Sequence, residues 1–227
     1  MNSRTLAVGG ALASLGILYW LRIRPWHLTW GTTPEEVSGY LPGDERYPEA
    51  NVRTTHAIAI DAPAEAVWPW LVQVGQERGG FYSYTWFENL LGCRMTNADR
   101  IHPEWQHLEP GDIVKLHPST KEAWLPVTIL NPGSDIVLGE RGNWSFHLRP
   151  AGDGRCRLIV RIRGEYPDPA TKRLGPLANF VIWKVIFEPG HFIMERKMLV
   201  TVKGLAERQW RATSAPSLVP EPPLAPR

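Results

Sequence analysis

Cysteine is scarce in this chain. Cys93 and Cys156 are the only two among 227 residues, far apart and outside any CxxC or Cys/His spacing, which excludes a zinc module and a disulfide framework. Net charge is scarce too: 25 basic against 23 acidic residues leave a formal +2, with no basic stripe to follow a nucleic-acid backbone, so no nucleic-acid partner is expected. Neither a Ser/His/Asp order nor a Walker or dinucleotide motif occurs, and no cofactor is expected.

Tryptophan, by contrast, is plentiful. Eleven are more than a chain this size commonly buries, and each indole N–H wants a partner, so some should line an interface or a cavity while others belong to the core or to a membrane belt. The run "LAVGGALASLGILYWLRI", Leu6 to Ile23, carries no charge before Arg22 and is just long enough to cross a bilayer as a helix. Tyr19, Trp20 and Trp26 then suit the interface, with Arg22 and Arg24 snorkelling. No small-residue cleavage site follows the run, so residues 1–27 read as an uncleaved single-pass anchor. The flanking arginines and the free cysteines place the remaining domain on the cytoplasmic side.

Residues 28–51 form a linker with one short helix. Thr33, Pro34 and Glu36 have capping-box spacing, and Gly39 stops the helix. "TTHAIAI" (Thr54 to Ile60) reads as a strand running into a helix over "DAPAEAVWPWLVQVG", which Pro69 should shorten or kink. "RGGFYSYTWFENLLG" follows, with Thr85 and Glu88 at capping-box spacing and Gly92 as a stop; Phe87 and Leu91 suit the face packed on a sheet. Five strands come next, "DIVKLH", "AWLPVTILN", "SDIVLGE", "NWSFHLRP" and "RCRLIVRIRG", separated by turn signals, as in an antiparallel meander. Arg161 and Arg163 fall on a polar, wet face of that sheet. From Leu174 to Trp210 the chain should be helical with a break at Pro189 and Gly190, its later part striped by Phe192, Leu199, Val202 and Ala206. Residues 213–227 are a disordered Pro-rich tail.

Several polar residues stand out against this frame. Glu195 lies between Phe192 and Leu199 on the apolar stripe, where a carboxylate is costly unless paired or facing a wet cavity. It either orients a ligand and moves protons or pairs with an arginine at the stripe's edge. His191, one turn earlier, can share its face; the two could hold a metal, but no third ligand can be named and no metal is expected. Glu88 is a cavity-mouth acid or a capping acid, and Trp68, Tyr82, Tyr84, Trp86 and Trp144 line a cavity or fill the core. His102, His107, His117 and His147 read as loop and surface residues.

The order strand, two short helices, meander, long C-terminal helix resembles the SRPBCC superfamily of START-related and polyketide cyclase-like helix-grip proteins. The residues that carry the likeness are "IAIDAPAEAVWPWLVQVGQERGGFYSYTWFENLLG", "IHPEWQHLEPGD", "NWSFHL", "CRLIVRIRG" and "FIMERKMLVTVKGLAE", and the combination of "GGFYSY", "EN" and "MERKML" is similar to an uncharacterised bacterial branch. The resemblance implies an α+β helix-grip domain over residues 52–212, a curved antiparallel sheet wrapped around the C-terminal helix with an apolar cavity between them. The expected ligand is a hydrophobic small molecule or lipid held by Trp68, Tyr82, Tyr84, Trp86, Glu88, Trp144, Phe192, Glu195 and Leu199. The alternative is a cyclase or dehydratase using Glu195 with His191 or Tyr82. Oligomeric state is left open.

Overall fold

The computed structural model describes residues 14–165 and 172–214. Residues 14–28 form helix α1, π-helical over Tyr19–Ile23 and α-helical again over Arg24–Leu28. The short helix α2 (Pro34–Ser38) begins with the expected capping box: the Thr33 hydroxyl accepts from Glu36 N at 3.3 Å, and Glu36 Oε2 accepts from Thr33 N at 2.8 Å. Strand β1 (Val52–Ile60) leads through Pro63 into α3 (Ala64–Val72), which carries Pro69 within only nine residues. Helix α4 (Thr85–Leu90) and a long loop precede β2 (Ile113–Lys115), β3 (Trp124–Asn131), β4 (Asp135–Leu138), β5 (Asn143–Pro150) and β6 (Cys156–Gly164). The six strands pair antiparallel in the order β1-β6-β5-β4-β3-β2, with a register shift between Val127 and Ile129 that adds local twist and bend.

Period-two alternation decides the two faces. Ile60, Phe146, Leu148, Leu158 and Val160 turn inward and meet Met198, Leu199, Val202 and Ala206 of helix α6 (Glu188–Ser214). Each fully buried Leu or Val there contributes about 1.5–3 kcal/mol of transfer free energy, enough to hold the long helix across the sheet. This is the α+β helix-grip arrangement, a six-stranded antiparallel sheet closed by a long C-terminal helix.

The helix preceding α6 corrects one expectation. Helix α5 (Gly175–Phe180) continues through a π-helical stretch, Val181–Phe187, straight into α6, and Pro189 and Gly190 do not interrupt it. A proline ring collides with the carbonyl four residues back, and the wider π turn just before Pro189 makes room for it.

The outer face of the sheet is not wet, as the arginine alternation suggested, but covered by the linker 28–51. Arg161 is 1% exposed; its guanidinium pairs with Asp44 and donates to Thr55 Oγ1 at 3.1 Å and the Gly39 carbonyl at 3.0 Å. Arg163 also reaches Asp44, at 2.8 Å. Gly43 lets the strap press against the sheet: its φ is 97°, and a Cβ there would stand 2.9 Å from Val137 Cγ1. His147 belongs to the same buried layer rather than to the surface, with Nδ1 2.8 Å from Asp135 and Nε2 2.9 Å from Ser145.

Among the described residues no helix is long and apolar enough to cross a membrane. Of the run Leu6–Ile23, residues 6–13 lie outside the described residues, as does 215–227 of the Pro-rich tail; α6 itself extends through Ser214.

Candidate functional site

The inner face of β1 and the first turns of α6 meet in a polar cluster enclosed by rings. Glu195 is 2% exposed and both of its oxygens are engaged. Oε2 is paired with His56 Nδ1, and Oε1 accepts the indole N–H of Trp144 at 2.7 Å. His191 Nε2 stands 3.6 Å from Oε1, an electrostatic contact just beyond hydrogen-bond reach. The partners are thus histidines and a tryptophan, not the arginine that the stripe's edge suggested.

His56 completes the cluster and was not visible as a site residue in the sequence. Its Nε2 donates to the His27 carbonyl at 2.7 Å while Nδ1 faces the Glu195 carboxylate. Two acceptors on one imidazole require a proton on each nitrogen, or one proton shared with the carboxylate. The available signal was parity: His56 alternates with Ile58 and Ile60 and so points to the covered face.

Charge balance follows from this geometry. Burial pushes the Glu195 carboxyl up, but His191, His56 and the Trp144 donor outweigh it and hold the group below the usual carboxylate range. Burial lowers the His191 pKa against the opposing pull of the Glu195 carboxylate. With Nε2 turned to Glu195, its Nδ1 is buried without a hydrogen-bond partner among the described residues. Around it Phe187 stacks on His191 at 5.4 Å, Trp144 lies edge-on at 6.4 Å, and Phe81 and Phe146 flank Trp144 at 5.6 and 4.8 Å. Both His191 and Trp144 are half-buried, so the cluster reaches the surface through them.

The other nominated residues fall into separate settings. Phe192 and Leu199 are buried on α6, and the Phe192 ring packs on His56 at 5.5 Å and on His27 at 5.5 Å. Tyr82 is fully buried and its hydroxyl accepts from Gln73 Nε2 at 2.8 Å; burial pushes the phenol well above its ordinary pKa. Its side chain meets Gln73 and Trp70, not Glu195 or His191. Trp68 is half-buried against the core. Tyr84 is 37% exposed under Lys197, and Trp86 is 67% exposed on α4. Phe87 and Leu91, expected to pack on the sheet, face outward at 37% and 62% exposure. The segment entering α4 is tied to α6: the Ser83 hydroxyl donates to the Met194 carbonyl at 2.8 Å.

Glu88 is neither a cap nor at an open mouth. Tyr84, without a side-chain bond, occupies the N-cap position, and the Glu88 carboxyl is buried with Oε2 unpaired, which pushes its pKa up to about 7.

Between the sheet and α6, Tyr82, Phe146, Ile136, Leu138, Met198 and Leu199 leave each other less than 2% exposed, a packed interior in place of the deep cavity the resemblance implied. Two surface hollows, of about 290 and 300 Å³, lie elsewhere: one under the strap at Gly39, Asp44 and Arg163, the other at Arg78, Asn97 and Trp105. No group of three His, Cys, Asp or Glu side chains among the described residues is arranged to hold a metal ion.

Solved structures with a similar chain course include the Zhui aromatase/cyclase from a Streptomyces species, 17% identical, covering 72% of this chain and 98% of that one with a TM-score of 0.42. A Polyketide_cyc-like protein from Corynebacterium glutamicum is 12% identical, with coverage of 73% and 96% and a TM-score of 0.37. The chain is similar to polyketide cyclase-like proteins. A Staphylococcus saprophyticus protein is also 12% identical, with coverage of 70% and 93% and a TM-score of 0.39. No family model and no curated protein matches the chain.

Proposed function

We propose that this chain is a membrane-anchored domain that binds a hydrophobic small molecule or lipid at the end of the sheet–α6 interface, with the domain on the cytoplasmic side. The observation that carries the reading is the unpaired, buried Nδ1 of His191 inside a frame of aromatic rings. An apolar body would lie against Trp144 and Phe187 while one polar tip pairs with Nδ1, the division of labour that apolar binding sites show. Glu195 acts through His191 and His56, because its own oxygens are taken. Since the interior is packed, the ligand must enter where His191 and Trp144 reach the surface and displace side chains there.

Titration of a fluorescent fatty-acid analogue into the detergent-solubilised chain tests this. Replacing His191→Phe keeps a ring against Phe187 and removes the nitrogen; the loss of one buried hydrogen bond should weaken binding about tenfold. Unchanged affinity would refute the role of Nδ1.

A second reading, a cyclase- or dehydratase-type enzyme, is favoured by the same dyad. A neutral His191 with Nε2 directed at Glu195 offers the Nδ1 lone pair as a general base, oriented by the carboxylate. Tyr82 does not enter this version, since its hydroxyl is engaged by Gln73 and its pKa is raised.

A further inference from the structure

Helices α1 and α5 lie side by side and run in the same direction. Trp20 stacks on Phe180 at 5.5 Å, Arg24 forms a double hydrogen bond with Glu188 at 2.8 and 2.9 Å, and Trp26 meets Phe192 at 5.4 Å. Their outer surface is apolar. On α5 and its π-helical continuation Leu177, Val181 and Val185 recur every four residues, which is one face of a helix. Leu177 is 77% exposed and Ile186, beside the stripe, 63%. An amphipathic helix of a water-surrounded domain turns this face inward; here it turns outward, next to the exposed Leu15, Ile17, Leu18 and Leu21 of α1.

We propose that the α5 stripe is a second membrane contact of this chain, seated beside α1 in the interfacial layer of a bilayer that carries anionic phospholipid. Three observations select a bilayer over another protein as the occupant. In the sequence the apolar residues 6–13, read as part of the anchor, immediately precede α1, whose Leu15, Ile17 and Leu18 are exposed. Neither 14–28 nor 172–187 contains an acidic residue, while Arg22, Lys172 and Arg173 are exposed basic groups that suit phosphate headgroups. Trp20 and Trp26, 36% and 55% exposed, supply the amphipathic rings that settle at a membrane–water boundary. The contact would bring the ligand site to the bilayer, since Phe187 ends the π stretch and stacks on His191. This inference rests on the membrane-anchored reading above, and its test separates the two.

The full chain is reconstituted into phosphatidylcholine–phosphatidylglycerol vesicles with a fluorescent thiol label at Leu177→Cys, Val185→Cys or Leu15→Cys. Asp153→Cys, in the exposed β5–β6 turn, serves as the aqueous reference, and the unsubstituted chain measures labelling of Cys93. The expected result is quenching of the Leu177 and Val185 labels by doxyl-phospholipid at least about two-fold above the reference, with protection from aqueous iodide. Lipid quenching at Leu15 alone, with Leu177 and Val185 open to iodide, overturns the second contact and leaves the anchor standing. Iodide access at all three positions overturns both. Protection at Leu177 from both quenchers means that protein covers the stripe, and overturns the proposal as well.

Discussion

Glu88 gives the structure a pH dependence whose sign and size can be worked out in advance. Its carboxyl is buried with one oxygen unpaired, and burial alone raises its pKa from 4.5 to about 7. The folded chain therefore binds a proton that the unfolded chain has already released between those values, so stability falls as pH rises. The contribution is fully present below about pH 4.5 and is lost as pH passes through about 7. The rise from 4.5 to about 7 corresponds to ~3 kcal/mol at most, since a carboxylate that turns toward water recovers part of its hydration. Replacing Glu88→Gln keeps the shape of the neutral acid and removes the titration. Urea unfolding in mild detergent at pH 5 and pH 8 should then show the wild type losing stability between the two and the Gln variant losing about 2–3 kcal/mol less. Equal losses in both proteins would mean that Glu88 is hydrated or paired in the folded chain and would refute the reasoning.

Other perturbations have clear directions. Replacing Glu195→Ala leaves His56 and the Trp144 N–H buried without their acceptor and should cost roughly 3–5 kcal/mol in urea unfolding; a loss under 1 kcal/mol would show that the cluster is solvated. Asp44→Ala removes a carboxylate that serves both Arg161 and Arg163 and should cost about as much, whereas Arg155→Ala in the exposed β5–β6 turn should change stability by no more than about 0.5 kcal/mol. Trp86→Ala truncates a side chain that is 67% exposed, so unfolding should shift by about 0.5 kcal/mol or less. If α4 borders the ligand, fatty-acid-analogue binding will weaken several-fold; if binding is unchanged, Trp86 lies outside the site.

Local rules read well in this sequence, and long-range coverage did not. The capping box at Thr33 and Glu36, the alternation of β5 and β6 and the apolar stripe of α6 depend on neighbours within a few residues, and they form as expected. The outer sheet face was misjudged because what buries Arg161 is a set of carbonyls and one carboxylate more than a hundred residues earlier, and a strand pattern cannot register who covers it. Pro189 signalled a break because a proline shows its missing N–H locally, while the π stretch Val181–Phe187 before it has no such local signature. At the site, Glu195 and His191 were legible as an i, i+4 pair on an apolar stripe. His56 was not, because a single histidine in a β-rich run gains meaning only when α6 is laid across it. The aromatic stretch from Phe81 to Phe87 divides between interior and surface, with Phe81 and Tyr82 buried, Trp86 exposed and Ser83 between them bonded to the Met194 carbonyl.

The central claim is that a hydrophobic molecule occupies the His191 end of the sheet–α6 interface. Native mass spectrometry of the full chain, extracted in mild detergent and compared with His191→Phe, tests it directly. The account predicts a co-purifying small molecule or lipid on the wild type whose occupancy drops in the variant. A wild-type chain that carries no retained molecule and takes up no added fatty-acid analogue would contradict it.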